Sequence, residues 1–215
     1  DESPVVTEKG EKFLYGVTKT MYQKLNFIDS NTSGFIGNTF EKPSQNQLNE
    51  LIVSGLTEEA IASSQIEGAN TSRKVAKAML LSQRKARTKD EQMIVNNYQV
   101  MQRLQEWKNL DLSATMLIDI QKNITQKTLD DSADEGRFRL DEDNICVMDR
   151  VTGDIVYTPP KKAVVEKELE RLLEYANTDS LDDEFVHPVI KASILHFWLA
   201  YLHPFVDGNG RTARA

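Results

Sequence analysis

The sequence predicts an all-α protein, a helical bundle that carries one small β-hairpin. Three observations predict it. Apolar residues recur at helical spacing through most of the chain. One stretch, 144–160, switches to alternation around a Gly-containing turn. Finally, "HPVIKASILHFWLAYL" (187–202) is apolar on nearly every face, the pattern of a central helix surrounded by others.

Taken in order, "TEKGEKFLYGVTKTMYQKL" and "PSQNQLNELIVSG" read as helices. "LTEEAIASSQIEGANTS" (56–72) reads as a helix over about 57–67. Thr57 is its cap, Glu58 and Glu59 lie in its first turn, and Gly68 is its closing glycine. Glu67 then falls in the last turn, where a carboxylate opposes the helix dipole and a cationic partner from elsewhere would relieve it. "RKVAKAMLLSQRKARTK" (73–89) is basic. Its periodic Val75, Met79 and Leu80 make those charges the solvated face of an amphipathic helix.

"DEQMIVNNYQVMQRLQEW" (90–107) places Ile94, Tyr98, Met101 and Leu104 on one stripe. "SATMLIDIQKNIT" (113–125) starts at a capping Ser113 and buries Met116, Leu117, Ile120 and Ile124. The hairpin "NICVMDRVTGDIVYTPP" alternates Ile145/Val147 and Ile155/Tyr157. An isolated two-stranded hairpin is marginal in water, so it must lean on helices or serve something that binds there. A helix with Val164, Val165, Leu169, Leu172 and Leu173 inside follows the Pro pair.

With 215 residues, 40% of them hydrophobic and 27% charged, the chain can bury a real core. It divides into an N-terminal helical region, 1–89, and a core, 90–215. The net charge of −7 excludes a general nucleic-acid or anionic-membrane binder, which needs a basic footprint. The single cysteine, Cys146, excludes an internal disulfide and an all-Cys zinc site, and makes the cytoplasm the expected location. No stretch holds the ~18 uninterrupted apolar residues of a membrane span. The chain starts at Asp1 rather than Met, which leaves a removed leader open.

The densest chemistry lies in "LHPFVDGNGRTARA" (202–215). Pro204 is expected to hold His203 extended and to end the preceding helix. Gly208 and Gly210 permit unusual backbone geometry, so N–H groups around Asn209 can form an anion nest at the start of a new helix. Arg211 and Arg214 share a face of that helix, and their forks suit phosphate oxygens. Asp207 is an oxygen ligand of the kind Mg²⁺ takes beside a substrate's phosphates. His203 suits a general base, since its ordinary pKa of ~6.5 lies near working pH. These parts describe phosphoryl or nucleotidyl transfer. "VHPV" at His187 repeats the His-Pro pair without acid, glycines or arginines, and there Pro188 in a first helical turn is explanation enough. His196 reads as a satisfied core residue.

"HPFVDGNGRTAR" agrees at every specified position with H-P-F-x-[D/E]-G-N-G-R-x-x-R, the signature of the Fic family, which this chain resembles over roughly 90–215. The resemblance implies a helical Fic fold and transfer of AMP from ATP to a Ser, Thr or Tyr hydroxyl of a target protein. By matching position it makes His203 the base and Asp207 the Mg²⁺ ligand. Gly208, Asn209 and Gly210 become the anion hole, with Arg211 on the β-phosphate and Arg214 on the γ-phosphate. The hairpin resembles the family's flap, which aligns a target's extended segment by strand-like pairing.

"SSQIEG" (63–68) resembles the family's inhibitory pattern [S/T]-x-x-x-E-[G/N]. The resemblance implies that Glu67 pairs with Arg214, supported by Ser63 and followed by Gly68, and blocks placement of the γ-phosphate. Removal of AMP from a modified target, transfer of another phosphate-containing group, and a non-catalytic ATP-sensing module stay open as alternatives. So does the oligomeric state, a homo-oligomer included. One turn of helix is not stable alone, so the core is expected to continue beyond Ala215.

Overall fold

The computed structural model describes residues 1–32, 44–149, 151–178 and 185–215. The chain forms two compact units, Asp1–Gly55 and Leu56–Ala215.

In the first unit, β1 (Glu2–Val6) pairs antiparallel with β2 (Lys12–Leu14), and α1 (Lys19–Thr32) follows. A helix was expected over residues 7–25, but it forms only from Lys19 onward. The reason is local: Gly10, at φ 80°, closes a turn in which its N–H donates to the Thr7 carbonyl at 2.9 Å. That turn brings Leu14 opposite Glu2 and Lys12 opposite Val6.

α2 spans Gln45–Ile66, so position 57 lies well inside it. Thr57 is therefore a buried interior residue rather than a cap. Its C-terminus is closed by a Schellman motif. Gly68, at φ 99°, donates its N–H to the Gln65 carbonyl at 3.0 Å, and Ala69 donates to the Ser64 carbonyl at 3.0 Å. Glu67 is thus held at the helix cap.

The second unit continues with α3 (Arg73–Leu81), α4 (Lys89–Trp107) and α5 (Ala114–Thr125). Ser72, Thr88 and Ser113 cap these helices, each accepting from a backbone N–H three residues on. Ile61, Ala76, Met79 and Ile94 bring α2, α3 and α4 into one core cluster. Val100, Ile120 and Ile124 join α4 to α5. Each of the larger side chains among these, fully buried, stabilises the fold by about 1.5–3 kcal/mol. Val75, expected inside, is 44% exposed. It lies off the stripe formed by Ala76 and Met79. The basic face of α3 is partly neutralised, since Arg73 and Lys77 both pair with Glu58. Arg84 pairs with Glu91, which its hydrogen bond, together with the Arg87 N–H, pulls down to about 2.

Beyond two short 3-10 turns come β3 (Val147–Met148) and β4 (Ile155–Tyr157), the expected hairpin, with Val147 opposite Tyr157. α6 (Lys162–Asn177), α7 (Pro188–Leu202) and α8 (Asn209–Arg214) complete the unit. α8 packs between α5 and α7, and α7 also packs on α6.

α7 is not enclosed on all sides, as its composition suggested. Ile194, Trp198, Leu199 and Leu202 are buried, whereas Ala192, Ser193, His196 and Phe197 are exposed. His196 is accordingly not a core residue. Its Nδ1 lies 3.0 Å from the Ala213 carbonyl oxygen, on the open side of the helix. Among the described residues no helix is long and apolar enough to cross a membrane.

Candidate active site

The site grows from the C-terminus of α7. His203 caps that helix in the left-handed conformation, φ 48° and ψ 56°, rather than the extended one expected before Pro204. The helix end decides this. A left-handed cap turns the chain sharply, His tolerates that region better than most residues, and the His203 N–H still reaches the Leu199 carbonyl at 2.9 Å.

The turn then plunges Phe205 into the interior, where it is 0% exposed and its ring stacks on Phe138 at 5.2 Å. Asn209 holds the loop closed with a reciprocal pair. Its Oδ1 accepts from the Phe205 N–H at 2.9 Å, and its Nδ2 donates to the Phe205 carbonyl at 2.8 Å. Its side chain is therefore committed to closing the loop. Gln121, buried in α5, donates to the Asp207 carbonyl at 3.1 Å and accepts from the Gly136 N–H at 2.7 Å.

The two glycines have different reasons to be glycine. Gly208 is at φ 83°, and a Cβ there would also lie 2.7 Å from Thr125 Cγ2. Gly210 has ordinary helical geometry, contrary to expectation. A Cβ on it would overlap the Glu67 carboxylate, so its constraint is space.

α8 starts at Asn209, and its first-turn N–H groups have no acceptor within the helix. The two arginines, expected to work side by side, point to different elements. Arg211 is buried; its Nη1 donates to the Ile124 carbonyl at 3.3 Å and its Nη2 to Asp207 Oδ1 at 3.4 Å, both long. Its Nε is buried and makes no hydrogen bond among the described residues. Arg214 turns to the end of α2. Its Nε donates to Ser63 Oγ at 2.9 Å, and its Nη2 to the Ser63 carbonyl at 3.2 Å and to Glu67 Oε1 at 2.6 Å. Ser63, Glu67, Gly68 and the motif's last arginine thus come together across a long separation in sequence. Ser63 contributes its carbonyl as well as its hydroxyl.

The electrostatics favour a neutral base. Burial lowers the pKa of His203, and the charge of Arg139 lowers it further; a hydrogen bond to the Ala200 carbonyl and the carboxylates of Asp207 and Glu67 pull the other way without reversing it. Asp207 presents an exposed carboxylate at the mouth of the loop. Among the described residues no three His, Cys, Asp or Glu converge as a metal site.

Sequence reasoning missed Arg139, Gln121 and Phe138. None sits in a motif, and their roles arise only when 134–140 folds against the end of α7. Arg139 was hidden in the charged run "GRFRLDED", where an exposed arginine is the default reading.

Residues 111–215 match the model of the Fic/DOC family. Two curated relatives carry the name "Protein adenylyltransferase Fic". The one from Nematostella vectensis is 41% identical over 58 residues, 27% of this chain and 13% of that protein. The one from Drosophila melanogaster is 41% identical over 64 residues, 30% of this chain and 12% of that protein. The matched stretch is thus about an eighth of the relatives' length. Among solved structures, a Fic family protein from Desulfovibrio desulfuricans G20 superposes with a TM-score of 0.67 at 20% identity, covering 93% of this chain and 56% of that one. Fic-1 from C. elegans gives 0.65 at 19% identity, covering 91% and 54%. At such identities the agreement speaks for the all-α fold.

Proposed function

Through residues 111–215 this chain belongs to the Fic/DOC family, and on that premise we propose that it is a protein adenylyltransferase held in check by its own α2. One observation carries the reading. A neutral imidazole, an exposed carboxylate and a buried arginine with an unsatisfied N–H converge on one loop.

In this reading His203 accepts the proton of a Ser, Thr or Tyr hydroxyl on the target protein. The hydroxyl oxygen forms a bond to the α-phosphorus of ATP, and the bond from that phosphorus to the pyrophosphate oxygen breaks. The first-turn N–H groups of Asn209, Gly210 and Arg211 donate to the phosphates, and Arg211 gains the acceptor its Nε lacks. Asp207 would hold Mg²⁺ together with phosphate oxygens, supplying positive charge against the charge that develops on them. The β3–β4 hairpin presents the target's extended segment. Cytoplasmic residence, expected from the lone Cys146, belongs to the same proposal.

Glu67 occupies Arg214, the side chain proposed for the γ-phosphate, so nucleotide binds without the geometry needed for transfer. Glu67→Gly is therefore expected to raise self-modification, followed with labelled ATP and Mg²⁺ and by the mass of the adduct. No gain over the parent removes the inhibitory role. ATP binding without turnover in that variant replaces the enzyme with a nucleotide-sensing module. Release of AMP from a pre-modified target, with no forward transfer, reverses the direction of the reaction.

A further inference from the structure

Arg139 is 5% exposed, and its side-chain hydrogen bonds among the described residues go to no carboxylate. Its guanidinium is instead spent on backbone carbonyls. Nε donates to the His203 carbonyl at 2.7 Å, and Nη2 donates to Pro160 at 2.5 Å and to Leu202 at 3.4 Å. Its own N–H donates to the Pro204 carbonyl at 2.9 Å, and its neighbour Phe138 bridges and stacks on Phe205.

Two of these acceptors are the last carbonyls of α7, which have no partner within the helix and form the negative end of its dipole. Together with the nearby charges of Asp141 and Asp143, this explains how the buried cation is tolerated. The third acceptor, Pro160, lies three residues past the end of β4 and just before α6. One planar fork therefore ties the base of the hairpin to the backbone of His203. Lysine, with one point of charge, cannot span those carbonyls in the same plane.

We propose that Arg139 is a positioning residue for the transfer step: it fixes the left-handed backbone of His203 and the base of the hairpin in one frame, so that a hydroxyl presented by the hairpin meets the imidazole. The proposal rests on the transferase reading. It assigns Arg139 no contact with ATP, since all its described hydrogen bonds go to 160 and 202–204.

The test compares Arg139→Met and Arg139→Lys with their Glu67→Gly parent, using labelled ATP and self-modification as the readout. Arg139→Met is expected to lower the rate at saturating ATP tenfold or more, with the KM for ATP within twofold of the parent. Arg139→Lys is expected to fall between the two. Hydrogen exchange, measured without nucleotide, is expected to quicken in 147–157 and 202–206 in Arg139→Met while α4 and α5 stay protected. Rates within twofold of the parent overturn the proposal. So does a parallel loss of rate, ATP affinity and protection throughout the unit in both variants, which marks a purely structural arginine. If the Glu67→Gly parent transfers nothing, the transferase reading fails by itself. The exchange measurement still decides the tether, and unchanged exchange in the hairpin overturns it.

Discussion

The loop 203–210 and the hairpin 147–157 stand a few residues from a shared anchor, yet they are built in opposite ways. Each turn of the loop is held by a buried partner: Phe205 by Phe138, Asn209 by Phe205, the Asp207 carbonyl by Gln121, and the His203 carbonyl by Arg139. The hairpin has two short strands, with Val151 94% exposed and Ile155 and Val156 about equally open at 63% and 62%. It leans on the rest of the unit through Tyr157, whose hydroxyl donates to the Tyr201 carbonyl at 2.8 Å, and through Pro160. The difference suits the proposed division of work. Reacting groups need positions fixed to a fraction of an ångström, which over-determined packing supplies. A surface that pairs with an incoming strand needs exposed edges.

The largest effect tests the rigid half. His203→Ala is expected to cost about 10²- to 10⁴-fold in transfer, the usual worth of a general base, with ATP affinity little changed. Undiminished transfer would remove His203 from the chemistry. The same residue sets the pH dependence. Its pKa lies below the ordinary 6.5 because burial disfavours the charged form. The active, neutral imidazole therefore predominates above that lowered value, and activity falls as the pH drops through it. A rate profile for the Glu67→Gly variant whose acid limb lies above pH 6.5 would contradict the burial argument.

Next in size are the two glycines. Gly208→Ala meets both a positive φ and the Thr125 methyl, so it is expected to cost about 2–3 kcal/mol of stability whatever stands at position 67. Gly210→Ala collides with the Glu67 carboxylate, the end of a flexible side chain. Its cost is expected to shrink by about 1 kcal/mol in a Glu67→Gly background. Urea unfolding of the three single and two double variants, against the parent, measures this coupling. Equal costs for Gly210→Ala with and without Glu67 would place the Glu67 carboxylate somewhere other than against α8.

Much of the site's composition was legible in the sequence. The signature gathered His203, Asp207 and both arginines into the α7–α8 junction and the helix after it, and the six-residue pattern at 63–68 anticipated the contact of Glu67 with Arg214. Helical periodicity located α4, α5 and α7 within a residue or two, and placed a helix after the Pro pair where α6 stands. What could not be read was geometry set by neighbours. The rule that proline extends its predecessor failed at His203, because closing a buried helix outweighed it. The period of α7 hid an open face, since composition reports apolarity and not what covers it. Residues 7–18 contain good helix formers, and only the pairing of two short strands around Gly10 overrides them. Arg139 and Gln121 were invisible for a plainer reason. Both act on backbone carbonyls, and no pattern of residue types marks a carbonyl that lacks a partner.

The smallest effect probes the adjustable half. Tyr157→Phe removes one hydrogen bond to the Tyr201 carbonyl and leaves the ring where it packs, 5.8 Å from that of Tyr201. The expected loss of stability is about 0.5–1.5 kcal/mol, within reach of a careful denaturation series. Its local consequence is sharper than its global one. Relieved of one tether, the hairpin should exchange its amide hydrogens faster, while the loop at 203–210, which that hydroxyl does not touch, stays as protected as before. If loop and hairpin loosen together, they form one cooperative piece, and the contrast between a rigid centre and an adjustable edge disappears. If only the hairpin loosens, Tyr157 and Arg139 are separate tethers on one moving part, and the double variant should exchange faster than either alone.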